Sequence, residues 1–237
     1  MIKTVWLDNP PVNAISPGVI AHLYDELADL GDARVVVLRG RGERAFSAGA
    51  DIGGFQGERE ESEHPAGITP LAEFLEALPV PVVAAVHGYC LGGGLEVALG
   101  CDVRIATPDA QFGFPEVKLG LLPGGGGTQR APRLIGSGHA AWLVMSGERI
   151  PAERALQWGL VEAIFDDLEA GIEEIAGTLA KQSPHAIRQI KELLNATRER
   201  PDYDRELQAF GACLASEDGQ EGVAAFLEKR EPQWTGR

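Results

Sequence analysis

The sequence has few cysteines and a shortage of positive charge. Its three cysteines, Cys90, Cys101 and Cys213, show no C-x-x-C spacing, so we expect buried thiols in a reducing compartment rather than a zinc site. Lysines and arginines number 21 against 35 aspartates and glutamates, which gives a formal charge of −14. A diffuse negative charge argues against nucleic acid or an anionic membrane surface as the main partner. An anionic small ligand remains compatible with it, because such a ligand needs only a few local donors.

Long apolar segments are missing as well. No run approaches the roughly 18 apolar residues of a membrane span, and the N-terminus lacks the apolar core of a signal peptide. We therefore expect a protein of the cytoplasm or of an organelle matrix, with the cytoplasm favoured and no membrane partner. The 237 residues, 44% of them hydrophobic, suffice for one large domain, or one domain with a small appendage.

Strand and helix patterns alternate over the first part of the chain, and helices alone fill the rest. Apolar runs predict strands near residues 2–7, 34–39, 80–86, 103–106, 111–114 and 160–165, separated by helical patterns. Residues 57–70 are polar without a clear period, which predicts a loop or a frayed helix, and 71–78 are helical. Four helical segments follow, at 168–181, 184–198, 203–216 and 219–230. The pattern predicts an α/β core over residues 1–181 and a small helical region over 182–237.

Two glutamates stand out in apolar or small-residue surroundings. Glu96 lies in a short helix that is apolar on nearly every side and directly follows the glycines 92–94. A buried carboxylate must be hydrogen-bonded or protonated, so Glu96 is either a first-turn residue satisfied by backbone N–H groups or a candidate acid–base group. Glu116 follows Pro115 at a strand end, and is either an exposed loop residue or part of a site. Two carboxylates beside one reacting group suit the addition or removal of water.

The glycine clusters supply a complementary feature. A backbone N–H at the start of the helix that holds Glu96 points outward, with the positive helix end behind it. A second N–H from residues 48–50 could meet it, and two converging donors would hold a developing oxyanion. The alternative is that these glycines only permit tight turns. The five histidines show no metal-ligand spacing, and neither a dinucleotide fingerprint, a Walker lysine nor G-x-S-x-G is present.

Several segments follow one another in a characteristic order: residues 9–14 (NPPVNA), 46–52 (FSAGADI), 81–102 (PVVAAVHGYCLGGGLEVALGCD), 111–130 and 225–230 (AFLEKR). In these segments the chain resembles the crotonase superfamily, and most closely an enoyl-CoA hydratase. The resemblance implies an α/β spiral of ββα units followed by a helical C-terminal oligomerisation region. It implies a homotrimer, often paired into a homohexamer, that binds an acyl-CoA substrate and needs no metal or other cofactor.

The resemblance also implies roles for particular residues. The thioester oxygen would accept hydrogen bonds from the N–H groups of Ala50 and Gly93, which form the oxyanion hole. Glu96 would act mainly as the base on the water and Glu116 as the acid that protonates the α-carbon, while Gly124 would position the water. The residues implied in substrate or CoA binding are Ala48, Asp51, Ile52, Phe226 and Lys229, of which the last two would reach the CoA of a neighbouring subunit.

Other activities of the superfamily stay open at this point. Many relatives carry a Lys or Arg after the Asn9-Pro10 pair, where this chain has Pro11-Val12, so one contact to the CoA phosphates is in doubt. Isomerases of this type typically rely on the Glu116-type residue alone, so the presence of Glu96 favours hydration of a trans-2-enoyl-CoA. The alternatives are a double-bond isomerase, a thioester hydrolase, a decarboxylase, or a non-catalytic acyl-CoA-binding protein.

Overall fold

The computed structural model describes residues 1–51, 67–182, 184–196 and 203–233. The described strands are β1 (Ile2–Leu7), β2 (Val35–Gly40), β3 (Ala45–Ser47), β4 (Val82–Val86), β5 (Tyr89–Leu91), β6 (Val103–Ala106), β7 (Gln111–Gly113), β8 (Arg149–Pro151) and β9 (Ala163–Ile164). The described α-helices are α1 (Pro17–Ala28), α2 (Ile68–Ala77), α3 (Gly93–Leu99), α4 (Gly127–Ser146), α5 (Ala152–Trp158), α6 (Leu168–Ala180), α7 (Pro184–Ala196), α8 (Tyr203–Ala215) and α9 (Glu217–Glu228). A 3₁₀ helix spans Pro115–Leu119.

The larger sheet is parallel and has the strand order β1-β2-β4-β6-β9. Its central strand β4 is buried along its whole length, as a continuous apolar run predicts for a strand covered on both faces. Helix α6 packs on one face, where Ile172 and Ala176 join Val35 and Val83. The other face contributes to the main core.

The smaller sheet, in the order β3-β5-β7-β8, positions the site. Its first three strands run parallel, and only β8 is antiparallel to its neighbour. The chain leaves β3 at Ala48, β5 at Gly92 and β7 shortly before Glu116. Since the carboxyl ends of parallel strands meet at one edge of a sheet, these three segments come together there.

The C-terminal helices are fastened to the core by polar side chains of α7. Lys191 Nζ donates to the carbonyls of Leu75 and Val80, each at 3.0 Å, and lies 2.7 Å from Asp102 Oδ2. Asn195 Nδ2 donates to the Glu76 carbonyl at 2.7 Å. Lysine is seldom buried without a partner, and the three oxygens around Lys191 offset its desolvation.

Most of the predicted elements are present within a few residues, including the four terminal helices α6–α9. The prediction that residues 57–70 form a loop or a frayed helix is wrong at its end, because α2 already begins at Ile68 and buries Leu71, Ala72 and Leu75. The rest of that segment lies outside the described residues. Strands β3, β5 and β8 were not predicted; each is three residues long, which is too short for a period-two pattern to be visible.

Candidate active site

The backbones of Ala50 and Gly93 approach each other closely. Ala50 forms a parallel bridge with Ile15, in which Gly49 O accepts from Ile15 N at 2.8 Å and Asp51 N donates to Ile15 O at 3.0 Å. In such a bridge the N–H of the central residue points away from the partner strand. A Cβ built on Gly93 would lie 3.1 Å from the Ala50 nitrogen, so the two backbones meet on that side.

Gly93 is the first residue of α3, where backbone N–H groups have no acceptor within the helix. The preceding Gly92 has φ 48° and ψ −125°, a conformation that side chains rarely adopt. It allows the chain to turn sharply from β5 into the helix. Gly94 packs so closely on β3 that a Cβ there would come within 2.5 Å of Ser47 O. The glycines therefore serve close backbone packing as well as presenting N–H groups.

Glu96 is 2% exposed, and its carboxylate is held by a different segment of the chain. Its Oε1 accepts hydrogen bonds from Gly125 N at 2.7 Å and from Gly127 N at 2.9 Å. These donors lie at the start of α4, so their helix end is also favourable to a negative charge. Backbone N–H groups thus bind the Glu96 carboxylate, as one reading of the sequence expected, and the donors of these two bonds belong to the segment that leads into α4.

Glu116 lies in the 3₁₀ helix and is half-buried, so it is not an exposed loop residue. Its Oε1 lies 2.6 Å from the position that a Cβ on Gly92 would occupy. Glu96 is one helical turn beyond Gly92, to which its own N–H is bonded at 3.0 Å. Both carboxylates thus lie at the N-terminal end of α3, the end that carries the Gly93 amide.

The structure places the other predicted residues as follows. The Gly124 carbonyl accepts from Thr69 Oγ1 at 3.2 Å, and a Cβ on Gly124 would meet the Phe210 ring at 2.8 Å. Ala48 donates its N–H to Val12 O at 2.9 Å, which ties residues 48–50 to the loop that follows β1. Asp51 is half-buried beside Ala50, and Phe226 and Lys229 are exposed at the end of α9. Ile52 lies outside the described residues.

Two apolar side chains that sequence reasoning missed border the site. Ile68, the first residue of α2, contacts Gly93 through Cδ1, and its Cγ2 lies 2.5 Å from where a Cβ on Gly125 would be. Phe210 of α8 lies beside Gly124. Ile68 was assigned to a polar loop, and nothing in the local sequence of Phe210 links it to residue 124. Ile68 thus puts an apolar side chain beside the Glu96 carboxylate, whose Oε2 lies at the same distance from the position of a Cβ on Gly125, and Phe210 covers Gly124.

The nearby thiols are not available as nucleophiles. Cys90 in β5 and Cys101 after α3 are both fully buried. Burial raises the pKa of the Cys101 thiol to about 12 and that of Cys90 well above its usual value. Since the thiolate is the reactive form, both residues remain protonated and inert at neutral pH. These two thiols are therefore not candidates for a nucleophile beside the two carboxylates and the backbone amides.

The whole chain, residues 1–237, matches the family model described as enoyl-CoA hydratase/isomerase. The chain belongs to this family. A Bacillus subtilis protein named a probable enoyl-CoA hydratase is 39% identical, and the match covers 99% of this chain and 95% of the relative. A crotonyl-CoA hydratase of Syntrophomonas wolfei is 36% identical, and the match covers 100% of this chain and 95% of the relative.

A solved structure agrees with the family assignment. The crystal structure of an enoyl-CoA hydratase from Mycobacterium avium subsp. paratuberculosis matches with a TM-score of 0.86 and 32% identity, over 99% of this chain and 95% of that one. The predicted membership of the crotonase superfamily and the predicted α/β crotonase fold are confirmed, and the chain is enoyl-CoA hydratase-like. Among the described residues, no helix is both long and apolar enough to cross a membrane.

Proposed function

We propose that this protein is an enoyl-CoA hydratase that adds water to the double bond of a trans-2-enoyl-CoA and releases a 3-hydroxyacyl-CoA. The observation that carries the proposal is the position of two carboxylates, Glu96 and Glu116, at the helix end that also carries the Gly93 amide. Relatives named for this reaction support it. The substrate is the coenzyme A thioester itself, and the reaction needs no further cofactor.

The amides of Ala50 and Gly93 bind the thioester oxygen. Their hydrogen bonds strengthen as negative charge develops there, which makes C3 electrophilic and stabilises the enolate-like charge. Loss of one such donor typically costs about 10²–10³ in rate. The apolar contact of Ile68 with Gly93 limits water at this point, which strengthens the electrostatic interaction.

The two glutamates divide the proton transfers. The oxygen of the water forms the bond to C3 while Glu96 takes one of the water's protons. Glu116 gives a proton to C2 on the same face of the double bond. A proton then passes from Glu96 to Glu116 to restore the starting state. Because Glu96 Oε1 is held by two backbone donors, the carboxylate plane is fixed and Oε2 is turned toward the Ile68 side of Gly125. A general acid or base of this kind contributes about 10²–10⁴ in rate.

The proposal extends to the assembly and its location. The exposed Phe226 and Lys229 at the end of α9 would reach the CoA of a neighbouring subunit in a homotrimer, or in a homohexamer made of two trimers. Ala48, Asp51 and Ile52 would line the CoA side of the oxyanion segment, and Gly124 would help to position the water. We place the enzyme in the cytoplasm.

Hydration of crotonyl-CoA, followed by the loss of absorbance of the conjugated thioester, tests the proposal. The wild type is expected to be active, and Glu96→Gln and Glu116→Gln are each expected to lower kcat by about 10²–10⁴. Circular dichroism of each variant checks that it is folded. An inactive wild type, or two folded variants with normal rates, would contradict the proposal. A Glu96→Gln variant that still shifts the double bond of a 3-enoyl-CoA at the wild-type rate would favour an isomerase.

A further inference from the structure

Arg130 is a buried cation one turn into α4, and 3% of it is exposed. Its guanidinium joins two segments of the site. Nε and Nη2 donate to the two carboxylate oxygens of Glu76, at 2.9 and 3.3 Å, and Nη1 donates to the Gly125 carbonyl at 3.1 Å. Arginine suits this place because its planar fork can serve a carboxylate on one side and a carbonyl on the other.

Gly125 is therefore held from both directions. Its N–H binds Glu96 Oε1 at 2.7 Å, and its carbonyl accepts from Arg130 Nη1. The four consecutive glycines 124–127 have no side chains with which to fix their own conformation, and glycine loses more freedom on ordering than any other residue. The forked contact of Arg130 supplies an external restraint on the segment that presents two donors to Glu96.

Glu76 fixes Arg130 in turn. It lies in the last turn of α2, and its own carbonyl accepts from Asn195 of α7 at 2.7 Å. The carbonyl of the preceding residue, Leu75, accepts a hydrogen bond from Lys191 Nζ. The first residue of the same helix, Ile68, contacts Gly93 and Gly125. Helix α2 thus touches the site at its first residue and anchors Arg130 at its last turn.

We propose that Arg130, held by Glu76, is a positioning residue for Glu96. It keeps the segment 125–127 in the one arrangement in which both N–H groups bind Glu96 Oε1. In this proposal Arg130 acts through Gly125, whose carbonyl it binds and whose N–H binds Glu96, so it is a positioning residue and not a catalytic one. This inference rests on the proposed hydration for its kinetic consequence, whereas its structural consequence is independent of any activity.

The proposal predicts a selective kinetic defect in Arg130→Met. Because Glu96 is needed for the attack of water, kcat for crotonyl-CoA hydration is expected to fall about 10–100-fold while KM changes less than about threefold. Exchange of the C2 protons of butyryl-CoA in D₂O takes place at Glu116 and the oxyanion amides and involves no attack of water on C3, so this exchange is expected to fall much less than hydration does. An equal fall of hydration and of exchange would overturn the proposal.

Lys191→Met is the matched control. Like Arg130, Lys191 is a buried cation with a carboxylate partner, Asp102, and it contacts the end of α2. Its hydrogen bonds, however, go to the carbonyls of Leu75 and Val80 and not to the glycine segment. Lys191→Met is expected to lower Tm and to keep kcat within about twofold. If Lys191→Met loses kcat to the same extent as Arg130→Met, the effect belongs to general packing and the proposal fails.

Two measurements keep the test decisive. Glu76→Gln keeps the size and shape of the partner side chain, and it is expected to lower kcat about 3–10-fold in the same selective way. A Glu76→Gln variant that is folded by circular dichroism and has wild-type kcat would overturn the proposal. Hydrogen–deuterium exchange of residues 124–127 needs no substrate. The amides of Gly125 and Gly127 are expected to exchange at least about tenfold faster in Glu76→Gln or Arg130→Met. Unchanged protection would overturn the proposal even if the wild type had no hydratase activity, an outcome that would refute the proposed function separately.

Discussion

Glu116 lies against the backbone of Gly92, and a Cβ on Gly92 would come within 2.6 Å of Glu116 Oε1. The space for the carboxylate exists only because residue 92 has no side chain. Glycine at residue 92 is therefore needed twice: for the sharp turn into α3 and for the space that the proposed acid, Glu116, occupies. A change at residue 92 acts on Glu116 without any change to the glutamate itself.

Gly92→Ala is expected to displace the Glu116 carboxylate, which is the flexible end of the clash. Hydratase kcat should fall by about 10²-fold, because a misplacement of about 1 Å has a cost of that order. Alanine, unlike glycine, is strained at the φ of 48° that residue 92 adopts, so the substitution also destabilises the folded state by about 1–3 kcal/mol. Steady-state kinetics and thermal unfolding measure the two effects.

Gly138→Ala is the control for this substitution. Gly138 lies in α4, and a Cβ there would have no neighbour within 4 Å. The change is expected to leave kcat unchanged and to add about 0.5–1 kcal/mol of stability, since alanine loses less freedom in a helix. If both variants behave alike, residue 92 has no special relationship to Glu116.

Ile68 is expected to limit the size of the acyl group, because its side chain contacts Gly93 and lies beside Gly125. Ile68→Ala should raise the ratio of kcat/KM for an eight-carbon enoyl-CoA to that for crotonyl-CoA by about tenfold, since a methylene in an apolar pocket changes discrimination by at least that order. Ile68→Val, which removes only the carbon that contacts Gly93, should give an intermediate ratio. Equal ratios in all three proteins would place the chain-length limit elsewhere.

The buried thiols of Cys90 and Cys101 are expected to resist alkylation in the folded protein. Burial raises the pKa of Cys101 to about 12 and that of Cys90 well above its usual value, so neither forms thiolate at pH 8. Iodoacetamide treatment followed by peptide mapping should leave both unmodified, and both should react after denaturation. Rapid labelling of either residue in the native protein would show that the core around β5 opens.

Arg230 is expected to stabilise the end of α9 in a pH-dependent way. Its hydrogen bond, with help from the Gln233 N–H, lowers the pKa of Glu221 from 4.5 to about 2. A carboxyl whose pKa is lower in the folded state contributes stability above its unfolded value and loses it as the pH falls. The Tm difference between wild type and Arg230→Gln should therefore be largest above pH 4.5 and shrink between pH 4.5 and 2. A constant difference over this range would assign the effect to something other than Glu221.

The parts of the site that lie in continuous motifs could be predicted from the sequence. Ala50 and Gly93 lie soon after short strands, Glu96 lies in the first turn of α3, and Glu116 follows β7; their residue types and glycine neighbours suggest the proposed chemistry. The hydrogen-bond donors of Glu96 could not be predicted, because Gly125 and Gly127 lie 29 and 31 residues further along the chain. A residue pair such as Glu76 and Arg130, separated by 54 positions, likewise becomes visible only when the helices pack.

The border at residues 181 and 182, drawn from the change to all-helical patterning, has a consequence for how the chain unfolds. Lys191 pairs with Asp102 and donates hydrogen bonds to two carbonyls of the core, and Asn195 donates to a third carbonyl, that of Glu76. A fragment ending at residue 181 would keep these oxygens and lose their partners, at a cost of about 1–3 kcal/mol for each buried group. Residues 1–181 and 182–237 should therefore melt as one cooperative unit. The border between them then marks a change of sequence pattern and does not separate two regions that fold on their own.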